Sequence, residues 1–161
     1  MPRRNHLAAA IVLAGLAIGG PAFAQGTAEG GGAPSGPSIE LAPGVTLEIT
    51  DLRRQPDKGV MELKFAVTNA SPADITLKDL GLAFNTSLKD ISIIDFAGRK
   101  QYNIGYAGDC LCSTFRDRDG GVVRSGERRE FWAWYGLPPA GAKQVAVKIP
   151  DQQPIMNVPL R

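Results

Sequence analysis

The chain is 161 residues long, 43% hydrophobic and 21% charged, with a formal net charge of +2 and one histidine. That length suits a single domain with an ordinary core. The histidine, His6, sits in an N-terminal targeting segment, so the rest of the chain has no imidazole for a Ser-His-Asp or Cys-His centre or for a histidine-bound zinc.

The targeting segment has three parts. Arg3 and Arg4 make a positive start, Leu7 to Ile18 is an apolar run, and Ala22-Phe23-Ala24 is a small-x-small cleavage pattern after the Gly20-Pro21 break. The apolar run is too short to span a bilayer as a mature helix. Residues 1–24 therefore read as a signal peptide cut after Ala24, which implies a periplasmic or secreted protein with no stable membrane span after cleavage. No cysteine stands at the cut, which argues against a lipid anchor. The Arg-Arg pair keeps twin-arginine export open beside general secretion. Both arginines leave with the peptide, so the 18 basic residues fall to 16, against 16 acidic ones. A nucleic-acid binder would carry a basic surplus, so no nucleic-acid partner is expected.

Residues 25–37, Q-G-T-A-E-G-G-G-A-P-S-G-P, hold almost no apolar side chain and read as a flexible linker. The folded domain is expected over 38–161. Its period is two. Val45, Leu47 and Ile49 alternate with Thr46, Glu48 and Thr50, and Met61, Leu63, Phe65 and Val67 alternate with Glu62, Lys64, Ala66 and Thr68. Such alternation marks strands with one face buried. Q-P-D-K-G at 55–59 is turn text between them. A short strand is expected over 74–80 and another over 88–95. Phe96-Ala97-Gly98-Arg99 then turns the chain into 100–106 as a hairpin.

Val122-Val123 is a further short strand after the D-R-D-G-G loop at 117–121. That loop lacks the third carboxylate and the spacing of an EF-hand, and reads as a solvated turn. Residues 127–135, E-R-R-E-F-W-A-W-Y, form the most aromatic strand. Phe131, Ala133 and Tyr135 share one face, and Trp132 and Trp134 the other. Two last strands are expected, over 145–149 and 155–160. Met61 and Met156 read as core. No long helical stripe appears, and many short strands with frequent turns predict an all-β fold, an immunoglobulin-like β-sandwich of about 7–9 strands.

The candidate chemistry centres on Cys110 and Cys112, the only two cysteines. In an oxidising compartment such a pair is usually bonded. Residues two apart on a straight strand have Cα atoms about 6.6 Å apart, wider than a disulfide prefers. A Cys110–Cys112 bond therefore needs a bend, which Gly108 and Asp109 offer. The alternative is a thiolate pair for a soft metal such as copper, or a redox pair. Two sulfurs alone make an incomplete metal site, and no cofactor is expected. Arg116, Arg118, Arg124, Arg128 and Arg129 crowd one region with Asp117, Asp119, Glu127 and Glu130 interleaved. This is a self-neutralising face or a patch for an anionic envelope polymer. With Arg116, Arg118, Arg128 and Arg129, Trp132 and Trp134 make up the candidate binding surface.

The text D-F-A-G-R-K-Q-Y, D-C-L-C-S, R-S-G-E-R-R-E-F-W-A-W-Y, L-P-P, V-A-V-K-I-P and V-P-L resembles a family of exported bacterial domains. These are immunoglobulin-like sandwiches that precede an outer membrane protein A-like, peptidoglycan-binding domain in some envelope proteins. The resemblance implies the fold and the compartment over roughly 45–160. It implies no catalytic residue, and with no peptidoglycan-binding text after Leu160 it does not carry wall binding over. The expectation is a non-enzymatic binding or accessory module of the cell envelope, with a protein or envelope polymer as partner. A Ser–Lys or carboxylate-pair hydrolase has no motif behind it.

Overall fold

The computed structural model describes residues 35–115 and 121–161. Among them the chain is all-β, with fourteen strands, one short 3-10 turn and no α-helix. No helix among the described residues is long and apolar enough to cross a membrane.

In chain order the first three strands are β1 (Ser38–Ala42), β2 (Val45–Gln55) and β3 (Val60–Asn69). Short pieces follow: β4 (Ile75–Thr76), β5 (Ala83–Phe84) and β6 (Ser87–Leu88). Next come β7 (Ser92–Asp95), β8 (Lys100–Tyr102), β9 (Tyr106–Ala107) and β10 (Asp109–Cys110). The chain ends with β11 (Val122–Val123), β12 (Arg128–Gly136), β13 (Gln144–Lys148) and β14 (Ile155–Pro159). One four-stranded sheet has the order β1-β2-β3-β12, and a second has the order β14-β13-β7-β8. Three two-stranded ribbons, β4 with β11, β5 with β6 and β9 with β10, complete the structure, and no sheet closes into a barrel.

The core follows from the alternation. In the first sheet Ile49, Phe65 and Phe131 stand in register across three strands, as do Leu52, Leu63 and Ala133. All six are buried. Phe65 and Phe131 stack with ring centroids 5.4 Å apart, and Phe115 meets Phe131 edge-on at 6.2 Å, arrangements that aromatic pairs favour. The second sheet supplies Ile93, Tyr102, Val145, Val147, Ile155 and Val158 to the same cluster.

Among the described residues three pairings carry a register shift, and besides the one in β1 between Glu40 and Ala42 two bear on the alternation. One lies in β2 between Ile49 and Asp51. Beyond it the buried residue is Leu52, and the strand runs on to Gln55, past the alternating run from Val45 to Thr50. The other lies opposite Val145 and Val147, whose partners Val158 and Ile155 are three apart. Asn157, at φ 55°, takes up the extra residue there, a conformation asparagine tolerates. As a result Met156 points outward at 49% exposure, against its expected place in the core. Met61 is buried as expected.

Two further differences are local. Over 74–80 only Ile75–Thr76 pairs as strand. Thr76 donates its hydroxyl to Asp79 Oδ2 at 2.6 Å and accepts the Asp79 N–H at 3.0 Å, which turns the chain. At the N-terminal side, Ser35 and Gly36, expected in the linker, are held by Glu48. Glu48 Oε1 accepts the Ser35 N–H, the Ser35 hydroxyl and the Gly36 N–H at 2.8–3.0 Å. A Cβ on Gly36 would stand 2.6 Å from the Ile49 carbonyl oxygen, so only glycine fits there. The segment expected to be a signal peptide and most of the expected linker, 1–34, lie outside the described residues.

Two connections tie the sheets together. The C-terminal Arg161 donates its N–H to Leu52 O at 3.0 Å and accepts the Arg54 N–H at 2.6 Å, extending the end of β14 onto the tail of β2. At the opposite edge, residues 104–113 leave β8 and pair with β12. Gly105 N–H donates to Trp134 O, Trp134 N–H to Leu111 O and Ser113 N–H to Trp132 O, each at 2.8 Å. The cysteine segment thereby covers the edge of β12 that would otherwise be unpaired.

Candidate functional site

β12 presents one face to the core and one to solvent. Phe131, Ala133 and Tyr135 are buried, while Trp132 is 37% exposed and Trp134 half-buried. The outer face of the first sheet is thus built in rows. Asp51, Lys64 and Trp132 stand in one row, and Arg53, Glu62 and Trp134 in the next. The two indoles lie side by side along the strand, centroids 5.7 Å apart and planes at 52°.

Glu62 is the anchor of this face. Its Oε1 accepts the Trp134 indole N–H at 3.3 Å. Its Oε2 accepts Arg53 Nε at 2.9 Å, Arg53 Nη2 at 2.6 Å and the Gln55 amide at 2.7 Å. Burial pushes the Glu62 carboxyl up. The hydrogen bonds from Arg53 and Trp134 and the charges of Arg53 and Lys64 outweigh that and hold it below the usual carboxylate value. The Lys58 ammonium lies 4.8 Å above the Trp134 ring centre, a cation–π contact. Beneath the β2–β3 turn a shallow cleft of about 380 Å3 is lined by Arg53, Gln55, Lys58 and Glu62 among others.

The turn positions these groups. Pro56 presets the first residue of the 3-10 turn, and Gly59 closes it at φ 65°. Arg54 is not part of the face. Its guanidinium is spent on the carbonyls of Pro138, Pro139 and Ala142, each at 2.7 Å.

The arginines expected beside the tryptophans divide. Arg128 is on the outer face, pairing with Glu130 at 3.1 Å and Glu48 at 3.5 Å. Burial raises the Glu48 carboxyl, but the Ser35, Arg128 and Gly36 hydrogen bonds leave it lowered on balance. Arg129 follows the inner phase. Its guanidinium lies 5.5 Å from the Phe131 ring centre and donates to Val122 O at 2.7 Å. It therefore does not join the tryptophan face. Arg116 and Arg118 lie outside the described residues.

Cys110 and Cys112 are bonded to each other, with Cα atoms 5.3 Å apart. The bend is at Gly108, at φ 83°, in the β9–β10 hairpin. Cys112 is buried and bridges to Ala133, and Cys110 is half-buried opposite the exposed Tyr106. Among the described residues no group of three or more His, Cys, Asp or Glu side chains is arranged to hold a metal ion.

No protein-family model, curated protein or solved structure matches this chain. The site therefore rests on its own geometry.

Sequence reasoning singled out the two indoles but not their partners. Arg53, Gln55, Lys58, Glu62 and Lys64 carry one usable signal. Glu62 and Lys64 alternate with the apolar Met61, Leu63 and Phe65, which assigns them to the outer face of β3.

Proposed function

We propose that this chain is an exported, non-enzymatic binding or accessory module of the bacterial cell envelope, built on an immunoglobulin-like β-sandwich. The resemblance over 45–160 to domains that precede outer membrane protein A-like domains supports the compartment. The observation that carries the reading is the indole pair. Trp132 and Trp134 stand adjacent on the outer face of a sheet whose inner face is fully packed. Exposed aromatic side chains with charged neighbours are what recognition surfaces use.

The chain has two tryptophans, and both are on this face. Selectively excited tryptophan emission therefore reads this face alone. The full chain is expected to co-sediment with isolated cell envelopes with a shift in tryptophan emission, and Trp132→Ala is expected to abolish co-sedimentation. Undiminished sedimentation of the variant sinks the reading.

The alternative, a copper-binding or redox role for Cys110 and Cys112, requires the bond between them to open. Intact mass with and without alkylation separates the two. A native mass about 2 Da low with no alkylation supports a closed structural disulfide. Two alkylated thiols, or bound copper, supports the alternative.

A further inference from the structure

We propose that the Trp132–Trp134 face recognises an acidic saccharide, a glycan whose pyranose rings bear carboxylates. This deepens the binding reading above and rests on it.

The argument starts from how the cations of this face are used. Arg53 is committed to Glu62 and Asp51, Arg128 to Glu48 and Glu130, and Arg161 to Asp51. Lys58 and Lys64 have no carboxylate within ion-pair distance among the described residues. These two uncommitted ammonium groups frame the indoles. Lys58 lies over Trp134, and Lys64 stands directly opposite Trp132 in the strand register. An anionic ligand on this face meets two ammonium groups that no salt bridge ties down, one over Trp134 and the other acting on Glu62 only through space.

The rings supply the second half of the recognition. A pyranose has a C–H face that stacks on an aromatic ring and a rim of hydroxyls that needs directional polar partners. Trp132 is more than a third exposed, and among the described residues no cation lies over its ring. Trp134 is tilted against it by 52°, so the pair is not one flat plate. Trp134 contacts Glu62 and Lys58, which line the cleft under the β2–β3 turn, and there Glu62 is held by Arg53 and in turn accepts the Gln55 amide. Held groups lose little side-chain entropy on binding.

Other classes of partner fit less well. A protein partner of ordinary size needs about 800 Å2 of surface on each side with an apolar centre. Around the indoles this sheet face is polar, with Arg128, Glu130, Lys64 and Thr68 on it. A nucleic acid strand brings a phosphate at every residue. Glu130, which is 65% exposed, and Asp57 in the turn oppose any polyanion on this face, so the oligonucleotide arm of the test below separates this class from the acidic saccharide.

The test is a titration of the full chain with tetragalacturonate, read by tryptophan emission and by calorimetry. The expected result is saturable binding that weakens with salt. Trp132→Ala and Lys64→Gln are each expected to weaken it about tenfold, as the loss of one stacking or charge-assisted contact does. Lys64→Gln keeps length and polarity on an outer strand position, so it reports charge without disturbing the core. Equal affinity for a neutral tetrasaccharide such as cellotetraose overturns the acidic class. Tighter binding of a thymidine oligonucleotide overturns the saccharide in favour of a nucleic acid. No response to any saccharide, with envelope sedimentation still dependent on Trp132, overturns this inference and leaves the binding module standing. Loss of both results overturns the two together.

Discussion

Trp134 donates its indole N–H to Glu62 across the β3–β12 pair, at a register position where the two residues face each other directly. Through its second oxygen the same carboxylate holds Arg53 and Gln55 of β2. One side chain therefore links three neighbouring strands on the outer face of the first sheet. The link also fixes the edge of the Trp134 ring, over which Lys58 lies.

Glu62→Gln is expected to destabilise the domain by about 1–3 kcal/mol, because Arg53 loses its charged acceptor while the site stays largely buried. Urea unfolding measures it as a lower midpoint with unchanged slope. Trp134 emission should shift to the red as the ring loosens. An unchanged midpoint would mean that Glu62 is an ornament of the surface rather than its anchor.

Acid should act on the same links. The carboxyls of Glu62 and Glu48 sit below the ordinary value of 4.5 in the folded chain. A group lowered on folding contributes its full stability above the unfolded value and loses it as pH falls through the folded one. Stability should therefore be flat from neutral pH down to about 4.5 and then fall steeply below it. Thermal melts across that range check the slope, and Glu62→Gln should show a shallower acid limb. A loss of stability beginning at neutral pH contradicts the assignment to these two carboxylates.

Much of the fold was legible because it is local in sequence. Met61, Leu63, Phe65 and Val67 are buried on one phase, as their alternation requires. The same rule separated Trp132 and Trp134 from Phe131 and Tyr135. It failed where an extra residue was inserted. The β2 bulge spaces the buried Ile49 and Leu52 three positions apart, so period two breaks and the alternation stops there. The same failure in β14 put Met156 in the wrong layer. The partners of the indoles were hidden for a different reason. Glu62 and Trp134 are 72 positions apart, and only the β3–β12 register brings them together. Nothing in either local stretch encodes that register.

A second polar group deep in the structure behaves unlike Glu62. The Tyr102 hydroxyl is buried and finds no hydrogen-bond partner among the described residues. Burial and the negative charge of Asp95 push its pKa up, with Arg54 opposing weakly. The ring is packed in the core and has Lys100 5.0 Å above it. Tyr102→Phe keeps that packing and removes a buried donor that nothing satisfies. The substitution is expected to leave stability unchanged or raise it by up to about 1 kcal/mol. A drop of more than that in urea unfolding would reveal a partner for the hydroxyl. Tyr135 is the control. Its hydroxyl donates to Ile91 O at 3.3 Å, so Tyr135→Phe should cost about 1 kcal/mol.

The disulfide should prove nearly dispensable for folding. It closes a loop of only three residues, for which loop-closure entropy gives about 1.5 kcal/mol. The segment around it has other holds, since Gly105, Leu111 and Ser113 pair with the backbone of Trp132 and Trp134. In the bonded form the two sulfurs each lie 4.0 Å from Leu88 O, and that of Cys112 lies 3.4 Å from Ser113 O, so acceptors are near both sulfurs once the bond is reduced. The Cys110→Ser, Cys112→Ser double variant is expected to fold and to melt about 3–6 °C lower. Its tryptophan emission should match that of the parent, because the backbone bonds that set β12 remain. Global unfolding on reduction would show that the bond, rather than the pairing of 104–113 with β12, holds this edge. A native fold with altered tryptophan emission would instead tie the redox state of Cys110 and Cys112 to the indole face, and would move the redox reading ahead of a purely structural one.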